Sequence, residues 1–261
     1  MKQTVLTVTQ SELLEKLIVK YGQIVTSQQI YEQVEGKNNK RQAKKLITKL
    51  VQNGWLIRIK RGLYTISDFS GRGFLSLSPY LIANLLAQDS YVSFESALSF
   101  YGMSDQLMNK VVSVSKNRHK IVQLSSIEYD FINTKEQFFF GWEKVKIDSK
   151  MVQIASAEKA LIDIVHFQKS KYSIDLVIEK LQKYQNDLDM EKLYKYVNRM
   201  STTTIKVFGF ILDLINIDSN QIFSLTKSKQ GTHWMLAKDK KFNSKWRLYY
   251  DEYFDKYKSV N

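Results

Sequence analysis

Between Lys37 and Arg61 the chain reads KNNKRQAKKLITKLVQNGWLIRIKR, with nine Lys or Arg and no Asp or Glu. A solvated helix face normally intersperses acids for i, i+4 pairing, so cations packed this closely point to the neutralisation of nucleic-acid phosphates. Sequence readout needs directed donors as well. Arg and Lys fit the acceptors of guanine and Asn fits adenine; Lys37, Asn38, Asn39, Lys40 and Arg41 stand together at the front of the stretch. Lys44, Lys45 and Lys49 follow at spacings suited to phosphate contacts, and Arg58, Lys60 and Arg61 make a second basic group.

Residues that could do other chemistry are scattered. His119, His166 and His233 are far apart, and none sits in a HExxH or HxE…CxxC pattern. Asp163 and His166, at i and i+3 on one helix, have the types of a metal pair but lack an evident third ligand. Asp187-Leu188-Asp189 has no preceding Gly-Ser loop and reads as a capped helix start. Glu158 and Lys159, close to Asp163, read as a solvated or sheet-docked helix edge. Gly71-Arg72-Gly73 matches neither the Walker pattern nor the dinucleotide fingerprint. No catalytic residue, metal site or cofactor is expected on these grounds.

The basic residues need elements to hold them. Ala43, Leu46, Ile47, Leu50 and Val51 recur at i, i+3, i+4, i+7 and i+8, the buried stripe of an amphipathic helix, and Arg41, Lys44, Lys45, Thr48 and Lys49 fall away from it. Asn53-Gly54 ends that helix. Trp55, Ile57 and Ile59 then alternate with Leu56, Arg58 and Lys60 as in a half-buried strand, and a turn at Lys60-Arg61-Gly62 sends Leu63 to Ile66 back antiparallel. Upstream, Thr9 with Glu12 and Thr26 with Gln29 have capping-box spacing for two further helices. Leu13, Leu14, Leu17 and Ile18 supply the buried stripe of the first, and Ile30, Tyr31 and Val34 that of the second, which Gly36 stops. Helix, turn, short helix, turn, basic helix and basic hairpin is the layout of a winged helix-turn-helix, whose last helix enters the major groove by its N-terminal end.

Residues 68–78, rich in Gly and Ser, read as a connector between a domain at 1–67 and another at 79–261. Ser78-Pro79 starts the second domain with a helix; Ser93 caps another over Phe94 to Tyr101. From Lys110 the pattern becomes β-branched and aromatic, with strands expected at Val111–Ser115, Lys120–Leu124, Tyr129–Ile132, Phe138–Trp142, Val145–Ile147 and Met151–Ala155. A twisted antiparallel sheet is the economical arrangement. Ser156 caps a helix buried through Ala160, Leu161, Ile164 and Val165. Helical periods follow at 173–184, 189–200 and 203–215, with a late strand at Trp246–Tyr250. The aromatics Tyr249, Tyr250, Tyr253, Phe254 and Tyr257 read as packed on the domain. The expected fold class is α+β.

Over 261 residues, 44% are hydrophobic and 13% aromatic, enough for real cores. The net charge is +13, and +8 of it falls within residues 1–75, which predicts a salt-sensitive attraction to nucleic acid through the N-terminal part. Cysteine is absent, which removes disulfides and thiolate metal sites. The opening MKQTVLTVTQSELLEK lacks the apolar core of a signal peptide, and no apolar run approaches the ~18 residues of a membrane span. A cytoplasmic protein without membrane contact is expected.

Several phrases carry a family resemblance: Lys45 to Ile66 ending in RIKRGLYTI, YVSFESALSFYGM at Tyr91–Met103, EQFFFGWEKV, IASAEKALIDIVHF at Ile154–Phe167, and NSKWRLYYD. They resemble the AbiEi family of bacterial abortive-infection antitoxins over nearly the whole chain. The resemblance implies a winged helix that binds operator DNA and represses its own operon, and a C-terminal domain with antitoxin activity. It implies as counterpart a separately encoded nucleotidyltransferase-type toxin of a type IV system, opposed without need of a stable complex. Paired copies would read inverted repeats. Two other readings of the same winged helix are a nucleic-acid-processing enzyme and a ligand-sensing transcriptional regulator.

Overall fold

The computed structural model describes residues 5–34, 40–67, 73, 75–104, 109–226 and 231–258. The chain forms two compact units, residues 1–88 with 123–127, and residues 89–122 with 128–261.

In the first unit, α1 (Val8–Tyr21) is followed by β1 (Ile24–Thr26), α2 (Ser27–Gln33), α3 (Lys40–Gln52), β2 (Leu56–Lys60), β3 (Leu63–Ile66) and α4 (Pro79–Leu86). The strands make an antiparallel sheet in the order β1-β3-β2. Thr26 and Gln29 cap α2 reciprocally as their spacing predicts, with Gln29 N–H on the Thr26 hydroxyl at 3.2 Å and Thr26 N–H on Gln29 Oε1 at 2.8 Å. At α1 the box falls two residues earlier than expected, on Thr7 and Gln10 rather than Thr9 and Glu12. Leu13, Leu14 and Leu17 are buried in α1 as expected, but Ile18 is 47% exposed. These leucines pack with Val25, Ile30, Ile47, Leu50, Trp55, Leu56 and Ile66 in one core. Each such side chain, withdrawn from water, stabilises the unit by about 1.5–3 kcal/mol.

Asn53-Gly54 ends α3 as expected. Gly54 has φ +78°, a left-handed conformation that suits glycine, and Trp55 N–H then reaches Leu50 O at 2.9 Å while Gly54 N–H reaches Val51 O at 3.1 Å. The strict alternation expected of β2 does not hold. Trp55, Leu56 and Ile59 are all buried and Ile57 is only half-buried. The ladder shifts register between Arg58 and Lys60, and β2 is packed by α4 as well as α3, so both of its sides meet protein. Of the expected connector, residues 68–72 and 74 lie outside the described residues, as does Gly36. Gly73 N–H donates to Gly54 O at 3.1 Å, and Gln23 Nε2 donates to Ser76 Oγ at 2.8 Å. By contacts, α4 groups with the first unit, whereas the sequence pattern assigns residues from 79 onward to the second.

The second unit is built on a sheet whose strands run β7-β5-β4-β9-β8: β4 (Ser90–Val92), β5 (Lys110–Ser115), β7 (Ile127–Asn133), β8 (Trp142–Ile147) and β9 (Lys150–Ala155); the short β6 (Val122–Leu124) groups mostly with the first unit. The α+β class is as expected, but the sheet is mixed rather than antiparallel. β5 pairs with β7 and β4 with β9 in parallel, because intervening elements return each chain to the same end, while β4–β5 and β8–β9 are antiparallel. Phe138–Trp142 does not form the expected strand. Glu136–Phe138 is a 3-10 turn, and the rings that follow leave in different directions: Phe138 on His166, Phe139 on Tyr91, Phe140 on Tyr196.

Helices α5 (Phe94–Phe100), α6 (Ala157–Phe167), α7 (Lys171–Tyr184), α8 (Met190–Asn198), α9 (Thr202–Leu214) and α10 (Asn220–Thr226) complete the unit with a small sheet, β10 (His233–Trp234), β12 (Leu248–Tyr250) and β11 (Lys241–Asn243) in that order. Asp189 caps α8, its Oδ1 accepting Lys192 N–H at 2.9 Å, which is the structural use expected of the Asp187-Leu188-Asp189 sequence.

Helix α6 is the hub, packed by α5, α7, α8, α9 and β9. The solvated or sheet-docked edge expected at Glu158 and Lys159 is instead interior: Lys159 and Asp163 are both fully buried and ion-paired one turn apart. Asp163 Oδ2 accepts the Ser93 hydroxyl at 2.7 Å and the Tyr91 hydroxyl at 3.1 Å, and Lys159 Nζ donates to Tyr91 OH at 3.1 Å. Ser93, expected to cap α5, spends its hydroxyl here. Gly141 leaves room for Lys159, whose Cγ stands 2.9 Å from where a Cβ would be. Burial pushes the Asp163 carboxyl up and the Lys159 ammonium down, against a mutual attraction that pulls each the other way. Replacing one partner strands a buried charge, so Lys159→Met will lower the urea-denaturation stability by about 3–5 kcal/mol, and adding Asp163→Leu will recover part of that loss. A double variant no more stable than the single would contradict this.

His166, on the same helix, shares a 2.7 Å hydrogen bond between Nδ1 and the Thr204 hydroxyl, and burial, aided by the charges of Lys159 and Lys169, pushes its pKa down to about 4. The unfolded chain therefore binds a proton that the folded one refuses between about pH 6.5 and 4. Stability is full above this window and falls as pH drops through it. His166→Gln will flatten the stability–pH slope there by up to about one proton, measured by denaturation at a series of pH values.

Candidate nucleic-acid interface

Helix α3 presents its basic residues because its other side is committed. Ala43, Ile47 and Leu50 are buried, Leu46 and Val51 are partly so, and Arg41, Lys44, Lys45, Thr48 and Lys49 are exposed. The division is the one the spacing predicts. Thr48 turns its hydroxyl back to Lys44 O at 2.9 Å, which takes it out of competition for outside partners. Lys37, Asn38, Asn39 and the side chain of Lys40 lie outside the described residues.

The hairpin of β2 and β3 stands beside α3 as a short wing. Arg58 and Arg61 are exposed on it. Lys60 is placed differently: it is half-buried, and its Nζ donates to Leu86 O at 3.2 Å, at the C-terminal end of α4. That carbonyl end attracts a cation through the helix dipole. Ser27 N–H donates to Gly62 O at 2.9 Å, which ties the wing turn to the start of α2. The structure thus brings Arg41, Lys44, Lys45 and Lys49 onto one helix face and Arg58 and Arg61 onto the adjoining hairpin, with Lys60 drawn aside.

Among the described residues no carboxylate pairs with the cations of this surface. The ion pairs found among the described residues all join residues of the second unit, such as Lys110 with Asp130, Lys192 with Glu143 and Lys245 with Asp213. A row of exposed cations on a helix fixed from behind can displace the counterions of a duplex and enter its major groove without first breaking internal pairs.

Residues 12–67 match the family model described as "Transcriptional regulator, AbiEi antitoxin". The N-terminal region is similar to that of AbiEi regulators. The match spans α1 through β3, so it covers the basic helix and the wing together. No curated protein matches the sequence. Among solved structures, the crystal structure of the Rv2827c protein from Mycobacterium tuberculosis superposes with a TM-score of 0.65 at 14% identity, covering 95% of this chain and 92% of that one. At that identity the likeness is one of fold, and it extends over both units. The AbiEi phrases of the second unit correspond to buried structure: IASAEKALIDIVHF carries the Lys159–Asp163 pair and YVSFESALSFYGM the Tyr91 and Ser93 that bind it.

Sequence reasoning missed that buried network. The signal that could have found it is Lys159 with Asp163 at i, i+4 inside an otherwise apolar helix, where a charge has no water to turn to. The candidate metal pair is not assembled: Asp163 is occupied by Lys159, Ser93 and Tyr91, while His166 faces Thr204 and Phe138. Among the described residues no three His, Asp or Glu side chains converge as a metal site would require, and no helix is long and apolar enough to cross a membrane.

Removing the uniform phosphate contacts should differ from removing a directed one. Lys44→Ala with Lys45→Ala will weaken duplex binding across sequences and reduce the slope of log K against log salt by about 2. Arg41→Ala will cost about 1–3 kcal/mol at one base pair and relax preference there. Anisotropy titrations on operator variants at several salt concentrations separate the two. Unchanged affinity in the triple variant would remove α3 as the reading helix.

Proposed function

We propose that the chain is the antitoxin of a type IV toxin–antitoxin system, active against phage by abortive infection, and that it also represses its own operon. It acts in the cytoplasm, without a cofactor and not as an enzyme. In this reading, residues 1–67 bind operator DNA, 68–78 connect, and 79–261 carry the antitoxin activity. The duplex is read by Lys37, Asn38, Asn39, Lys40 and Arg41 and held by Lys44, Lys45, Lys49 and the wing residues Arg58 and Arg61, with Lys60 committed to Leu86. Two copies meet on inverted repeats, and the counterpart is a nucleotidyltransferase-type toxin whose effect is opposed without a lasting complex.

The observation that carries the reading is the exposed, carboxylate-free basic face of α3 within the region that matches the AbiEi family. A second reading, a ligand-sensing regulator, is favoured by a cavity of about 420 Å³ in the second unit, lined in part by Glu95, Ser99, Lys110, Asp130, Gln168 and Tyr172. Such a lining offers both charges and amide donors to a small polar molecule.

Co-expression of the full chain with the adjacently encoded toxin, beside a reporter driven by the operon's own promoter, tests both halves. The wild type will relieve growth arrest and silence the reporter, and the chain carrying Arg41→Ala, Lys44→Ala and Lys45→Ala will relieve arrest while leaving the reporter on. Failure of the wild type to relieve arrest sinks the antitoxin assignment. Reporter induction by a metabolite extract, lost with Lys110→Ala, would favour the sensor instead.

A further inference from the structure

The small sheet of the second unit carries three rings side by side. Trp234 on β10 stands opposite Tyr249 on β12, and Tyr249 stands opposite Phe242 on β11, so all three share one face. Trp234 and Tyr249 are stacked, with centroids 5.2 Å apart and planes 15° apart, and Phe242 leans on Tyr249 at 5.1 Å and 52°. The neighbours of alternate parity, Leu248 and Tyr250, are buried, with Tyr250 against Phe210. The sheet is thus anchored on one side and open on the other. Trp234 remains 51% exposed and Phe242 47%. Tyr249 stacks on one ring face of Trp234, and about half of the Trp234 surface stays open to solvent.

The surrounding charge is positive and sorted. Lys241 and Lys258 pair with Asp255, Lys245 with Asp213, and Lys256 with Asp175. Lys238, Lys240 and Arg247 are exposed and have no carboxylate partner among the described residues. Lys240 and Arg247 are the residues just before β11 and β12, the strands that carry Phe242 and Tyr249. The exposed large apolar side chains between 231 and 258 are Trp234, Phe242 and Tyr253, aromatic without exception. Protein-docking patches are also rich in aromatic residues but are depleted in Lys, whereas Lys238 and Lys240 stand exposed in this segment. Exposed rings with exposed cations in the same segment match a ligand that alternates flat π-systems with phosphates.

We propose that the Trp234–Tyr249–Phe242 face binds single-stranded nucleic acid, with bases stacking on Trp234 and Phe242 and phosphates meeting Lys238, Lys240 and Arg247. A duplex keeps its base faces stacked on one another and has none to offer such a platform, so this surface selects unpaired strands and is functionally separate from α3. DNA and RNA share the chemistry that is recognised.

The test uses the full chain and labelled mixed-sequence strands of about 12 nucleotides, one DNA and one RNA, with a duplex of the same length, followed by anisotropy at low salt. The wild type will bind single strands, and the two arms show which sugar is preferred. Trp234→Ala with Phe242→Ala will weaken that binding roughly ten-fold or more and leave duplex binding unchanged. Trp234→Phe with Phe242→Tyr will retain it. Should the alanine pair fail to fold by circular dichroism, Lys240→Glu with Arg247→Glu takes its place, with the same loss expected. Single-strand binding that is absent in the wild type, or unaltered in these variants, overturns the proposal. So does a ring-dependent dimer in sedimentation with no effect on strands, which would make the face a contact between copies of the chain.

Discussion

Burial of Ile47 and Leu50 with the leucines of α1, Ile30 and Trp55 is the constraint on which the basic face of α3 depends. A helix has one angular freedom relative to its core, rotation about its own axis, and an apolar stripe this well packed removes it. Arg41, Lys44, Lys45 and Lys49 then have only solvent to face. The Gly54 cap, with Trp55 folded back over Leu50, stops the helix where the wing must begin and holds Arg58 and Arg61 beside it. The basic face is therefore produced by what lies behind it.

The second unit solves the opposite problem. Its central helix α6 is packed on all sides, and the polar groups it carries inward must satisfy one another. Lys159, Asp163, Tyr91 and Ser93 do so in a closed set joining α6 to β4, with Phe140 beneath the ammonium. Such a set contributes little net stability compared with apolar residues of the same shape, but it penalises any arrangement in which β4 and α6 fail to meet. Two of the phrases that resemble the AbiEi family, YVSFESALSFYGM and IASAEKALIDIVHF, contribute the residues of this network.

Where sequence reasoning succeeded, the cause was local. Thr26 and Gln29 cap α2 because a three-residue spacing alone brings their groups together, and Asn53-Gly54 ends α3 because the required dihedral belongs to glycine. At α1, Thr7 with Gln10 and Thr9 with Glu12 satisfy the same rule, and only the packing of Leu13, Leu14 and Leu17 chooses between them. The Phe138–Phe140 run has strand composition, yet its rings find separate partners in His166, Tyr91 and Tyr196, and the backbone turns to deliver them.

The sequence by itself determined the basic face of α3, the helix-and-hairpin order of the first unit and the α+β character of the second, since periodicity, capping and turn chemistry act between residues a few positions apart. Tertiary structure decided the parallel pairing of β4 with β9 and β5 with β7, the diversion of Lys60 to the end of α4, the enclosure of Lys159 with Asp163 and the alignment of Trp234, Tyr249 and Phe242. Each of these joins residues that are remote in the chain or is set by what packs against them, and no local rule specifies which distant partner arrives.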